Sequence, residues 1–80
     1  MPEVFREDGF RFFFYSNEGD PREPLHVHVR RGGESAKIWL TPNVALAESN
    51  GFGAAELRHV LAMARSRRRD VEKAWHEHFG

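Results

Sequence analysis

The chain has 80 residues, twelve Lys and Arg against twelve Asp and Glu, and no cysteine. That length holds a single domain, residues 1–80, which buries only about 60–65% of its unfolded surface, so a small core is expected and burial against a partner is a reasonable extra source of stability. Zero net charge excludes nucleic-acid binding through overall charge and leaves only local patches. The missing cysteine excludes disulfide and thiolate chemistry, and no apolar run approaches the roughly 18 residues of a membrane span.

Val4-Phe5-Arg6 is a short apolar start without the long apolar core of a signal peptide, so a cytoplasmic protein that does not engage membranes is expected. Asp8-Gly9 then precedes Phe10-Arg11-Phe12-Phe13-Phe14-Tyr15-Ser16. Asp-Gly between two strand-like runs predicts a tight hairpin. Alternation sends Phe10, Phe12 and Phe14 to one face and Arg11, Phe13 and Tyr15 to the other, so both faces carry rings. Asn17 to Pro24 is a polar loop with one Gly and two prolines, longer than a tight turn and suited to binding or to plain connection.

Leu25-His26-Val27-His28-Val29-Arg30 alternates cleanly. Leu25, Val27 and Val29 belong to a core, and His26, His28 and Arg30 share the opposite face. Gly32-Gly33 turns the chain into Ser35-Ala36-Lys37-Ile38-Trp39-Leu40, where Ala36, Ile38 and Leu40 point inward and Ser35, Lys37 and Trp39 outward. Thr41-Pro42-Asn43 ends this strand, and Val44-Ala45-Leu46 forms a short last one before a turn at Glu48-Ser49-Asn50-Gly51.

From Ala54 the period changes to about 3.6, with Leu57, Val60, Leu61, Ala64, Val71, Trp75 and Phe79 on one stripe behind Gly53 as N-cap. Arg65-Ser66-Arg67-Arg68-Arg69 interrupts it and reads as a solvated helix face. Two helices with Asp70 capping the second compete with one helix of roughly 26 residues, about 39 Å long, and the single helix is preferred. Such a helix would overhang strands of about 20 Å, leaving Trp75 and Phe79 for a partner or the loops to cover. The expected fold is therefore α+β: a small curved antiparallel sheet of three to five strands over residues 4–46, packed against one long C-terminal helix over about 54–79.

The face away from the helix then collects Arg11, Phe13, Tyr15, His26, His28, Arg30, Lys37 and Trp39. Cations meet phosphates and rings stack on unpaired bases, so this mixture suits RNA. His26 and His28 are the acid/base candidates, Lys37 or an arginine would stabilise charge on phosphate, and Arg11, Tyr15, Arg30 and Trp39 would hold substrate. This is the logic of a metal-independent ribonuclease. The competing reading, favoured over catalysis for Phe13 and Trp39, is a non-enzymatic interaction module whose aromatic face binds a cognate protein or a second copy in a homodimer. His26 and His28 are spaced for two metal ligands, but nothing places a third, and His76 and His78 diverge by about 200° on a helix, so no metal or other cofactor is assigned.

Gly9 to Gly19, Pro24 to Val29, Ala36-Lys37-Ile38-Trp39-Leu40, Gly51-Phe52, Glu56-Leu57 and the closing Trp75-His76-Glu77-His78-Phe79-Gly80 together resemble a small bacterial family called domain of unknown function 4160. Leu25 stands where that family usually shows a second proline, and Gly53 where a polar cap is commoner. The resemblance implies the toxin half of a toxin–antitoxin gene pair, with a cognate antitoxin-like partner of the domain of unknown function 2442 family. It carries over no catalytic residues.

Overall fold

The computed structural model describes residues 3–15 and 23–80. The polar loop expected from Asn17 onward lies outside the described residues as far as residue 22. Five strands precede two helices among the described residues: β1 (Glu3–Glu7), β2 (Phe10–Phe13), β3 (His26–Arg31), β4 (Glu34–Trp39), β5 (Ala45–Asn50), α1 (Ala54–Ser66) and α2 (Arg68–Phe79). The strands form one antiparallel sheet in the order β1-β2-β3-β4-β5.

Two-residue turns fix the first and third hairpin connections. Asp8 (φ 53°) and Gly9 (φ 81°) both adopt positive φ, as a type I′ turn requires, so β1 and β2 are joined by the chemistry their Asp-Gly dipeptide supplies. Gly32 (φ 60°) takes the first central position of the turn between β3 and β4, where a type II′ turn needs the left-handed region. The β3–β4 turn holds Val29 opposite Ala36, and Phe12 pairs with Val29 across β2 and β3, which brings the apolar residues of three strands onto one face.

That face, with Phe10, Phe12, Phe14, Leu25, Val27, Ile38 and Leu40, packs on Phe52, Val60, Met63, Ala64, Val71 and Trp75. Complete burial of side chains such as Phe12, Val27 and Ile38 contributes about 1.5–3 kcal/mol each and drives the sheet and helices together. Of the expected helical stripe, Leu57, Leu61 and Phe79 are only partly buried, and Met63 joins the core in addition.

The single long helix is corrected to two. α1 ends at Ser66, and Arg67 (φ −105°, ψ 15°) departs from helical geometry before α2 begins. Neither Gly nor Pro causes the break. Instead the Arg67 guanidinium donates to Glu7 of β1 at 2.8 Å and lies 4.5 Å from the Phe5 ring centre, which anchors the joint to the sheet. The domain measures 33 × 23 × 20 Å, shorter than the roughly 39 Å of a straight 26-residue helix. Bending therefore keeps Val71 and Trp75 over the core and removes the expected overhang. Trp75 is covered by its own chain, 5.3 Å from Phe14, 5.2 Å from His26 and 4.4 Å from Phe79 between ring centres.

The last strand is also longer than expected. Glu48, Ser49 and Asn50 continue β5, and only Gly51 turns. Gly53 has no side-chain oxygen to cap α1, and the Glu56 carboxylate instead accepts the Gly53 backbone N–H at 3.0 Å. No helix of the described residues is long and apolar enough to cross a membrane.

Candidate nucleic-acid interface

Strand register arranges the sheet face opposite the helices into cross-strand rows. Arg6, Arg11, Arg30, Ser35 and Asn50 are successive partners from β1 to β5. The next row runs Glu3, Phe13, His28, Lys37 and Glu48, and His26, Trp39 and Ala45 follow it on the last three strands. Neighbouring strands lie about 4.8 Å apart and alternate residues about 6.7 Å along a strand, so each row is a compact line of side chains.

Four rings form the centre. His28 stacks on Phe13 at 5.7 Å, and the Tyr15 ring meets His28 edge-on at 4.5 Å and Phe13 at 5.3 Å. His26 meets His28 at 5.2 Å. The Arg11 guanidinium covers Phe13 from another side at 5.5 Å. Phe13 is consequently 2% exposed despite its outward face, because its own neighbours bury it.

His26 and His28 differ sharply. His28 is half-buried and lines a groove of about 390 Å³ with Tyr15, Ser35, Glu48, Ser49 and Asn50. His26 is wholly buried, its Nδ1 lies 2.9 Å from the Pro24 carbonyl oxygen, and its ring contacts Trp39 and Trp75. As the first residue of β3, it sits at the sheet end that α2 reaches, so Trp75 closes over it. A buried ring held by backbone orients its neighbours and does not present a nitrogen to a substrate in solution.

Lys37 is adjacent to His28 in register, but its amine turns away from the groove. Nζ donates to Glu23 at 2.9 Å and lies 4.5 Å from the Trp39 ring centre. Trp39 remains half-buried. Arg11 and Arg30 are direct cross-strand partners on β2 and β3.

Glu48, Ser49, Asn50 and Arg6 are the face residues that sequence reasoning missed. β5 carries a bulge: Lys37 pairs with Glu48 while Ile38 pairs with Leu46, leaving Ala47 as the extra residue. That extra residue inverts the alternation and turns Glu48 onto the side of His28, a use of bulges common near functional sites. No residue in Ala45-Leu46-Ala47-Glu48 marks such a bulge in advance. Arg6 was visible as the residue before the Glu7-Asp8-Gly9 turn, and counting back across the hairpin places it opposite Arg11. Among the described residues, no three His, Cys, Asp or Glu side chains gather as a metal site.

Fold and face together define a small α+β domain whose five-stranded antiparallel sheet carries a basic and aromatic surface opposite its helices. Residues 9–76 match the family described as Domain of unknown function (DUF4160), and the chain belongs to that family. No curated protein and no solved structure matches it.

Proposed function

We propose that this protein cleaves single-stranded RNA in the groove beside His28, and that it serves as the toxin half of the gene pair that the family resemblance implies. The observation that carries the reading is the convergence of His28, Tyr15 and Glu48 on one groove, next to the paired Arg11 and Arg30. Tyr15 and His28 offer faces and edges for an unpaired base. Arg11 and Arg30 supply the positive potential that a phosphodiester needs.

In the proposed reaction the Glu48 carboxylate takes the proton of a ribose 2′-hydroxyl as its oxygen attacks phosphorus. The O2′–P bond forms and the P–O5′ bond breaks. Protonated His28 gives its proton to the departing O5′. The products are a 2′,3′-cyclic phosphate and a 5′-hydroxyl end, so protons and electrons balance without a co-reactant. His26 acts as a positioning residue for the His28 ring.

Expression in a bacterial host tests this reading with Glu48→Gln and Tyr15→Ala beside the unchanged protein. The account expects arrested growth and shortened transcripts with the unchanged chain, and neither with Glu48→Gln at equal protein level. Growth arrest that persists in both variants would refute it and favour a partner-binding module.

A further inference from the structure

The tips of the β1–β2 and β3–β4 hairpins form a second cleft of about 340 Å³, lined by Arg6, Gly9, Arg11, Arg30, Arg31 and Gly32. Its composition is not what sheet folding favours. Arg6 faces Arg11 and Arg11 faces Arg30 as direct cross-strand partners, and like charges so placed destabilise a sheet. A chain with equal numbers of acids and bases has the means to alternate their signs and does not do so here.

Carboxylates neutralise the cleft incompletely. Glu3 binds Arg6 at 2.8 Å and approaches Arg11 at only 3.9 Å. Arg31 is engaged by Glu34 and Glu56 and lies over the Phe10 ring, on the helix side. Arg30 is exposed and has no ion-pair partner among the described residues. Gly9 and Gly32 add no side chain at the rim, and Arg30 is left as the cation of the cleft that no carboxylate among the described residues engages.

We infer that this cleft is a phosphate-binding site, formed by Arg6, Arg11 and Arg30 at the hairpin tips. Guanidinium groups bind phosphate oxygens through paired N–H donors, and several converging on one anion suit phosphate better than a carboxylate. The cleft lies one residue pair along the strands from His28, about 6.7 Å. If the ligand is a backbone phosphate, which rests on the reading of RNA as substrate, the cleft holds a phosphate flanking the one cleaved. A free phosphate would satisfy the same chemistry, so the two sources are separated by experiment.

The test follows the arginine side-chain resonances by NMR while the protein is titrated with inorganic phosphate and, separately, with an eight-nucleotide uridine-rich RNA. The same RNA is titrated against an Arg6→Gln/Arg30→Gln variant and against Arg65→Ala, which removes a charge from the helix layer. With RNA as the ligand, the double variant should bind about tenfold more weakly, and the slope of log Kd against log salt should fall by about 1.4, while Arg65→Ala changes neither. Shifts of Arg6 and Arg30 with inorganic phosphate but no binding of RNA would support the cleft and overturn RNA as substrate. RNA binding that is equally strong in the double variant, or equally weakened by Arg65→Ala, would overturn the cleft and leave the His28 groove standing. Absence of shifts with either ligand would also overturn it.

Discussion

Arg11 and Arg30 stand directly opposite each other on β2 and β3, with Arg6 completing the line on β1. A sheet gains nothing from this arrangement, so it predicts a gain in stability on its removal. Arg30→Thr introduces a residue of good strand propensity and relieves one like-charge contact, each effect small at an exposed site. Thermal unfolding should rise by about 2–4 °C, corresponding to about 0.5 kcal/mol in a domain of this size. An unchanged or lowered midpoint would mean that Arg30 already has a structural role.

The two histidines should separate by stability. His26→Ala removes a buried ring from between Trp39 and Trp75 and leaves the Pro24 carbonyl without its ring partner, a loss of about 2–4 kcal/mol. His28→Ala, at the half-buried groove, should cost less than about 1 kcal/mol. Urea unfolding of both variants checks this ordering, and equal losses would contradict the distinction between positioning residue and groove residue.

Trp75 should be among the most sensitive core positions. It is 3% exposed and joins α2 to Phe14, His26 and Phe79, so Trp75→Ala should cost about 3–5 kcal/mol. For a small domain that approaches total stability, and the variant is expected to lose its near-ultraviolet circular dichroism at 37 °C. Trp75→Phe should retain it.

Arg67 anchors the bend between α1 and α2 through Glu7 and Phe5. Its partners are partly exposed, which limits the ion pair to at most about 1 kcal/mol. A double-mutant cycle of Arg67→Ala with Glu7→Gln should give a coupling of about 0.5–1 kcal/mol. Zero coupling would mean that packing alone sets the bend.

Much of the sheet was legible because short-range signals agreed. Alternation in Leu25 to Arg30 and in Ser35 to Leu40, with Asp8-Gly9 and Gly32-Gly33 as turns, places inner and outer residues without tertiary knowledge. The depth of a side chain is not local in this way. Alternation assigns His26 to the outer face correctly as a strand position, yet its burial depends on Trp75, 49 positions later in the chain. Phe13 likewise needs Tyr15, His28 and Arg11 to cover it. Between one helix and two, the sequence favours one because the stripe stays in phase from Ala64 to Val71, and only the contact of Arg67 with β1 decides for two. Glu48 was hidden by a bulge that no residue type announces.

The direct test of the account is product analysis on a single-stranded RNA incubated with purified protein in the presence of EDTA. The account predicts fragments ending in 2′,3′-cyclic phosphate and beginning with 5′-hydroxyl, no product when the RNA is replaced by its 2′-deoxy equivalent, and at least a hundredfold slower cleavage by folded His28→Ala. Intact RNA after prolonged incubation with folded protein, or cleavage at an unchanged rate by His28→Ala, would contradict it.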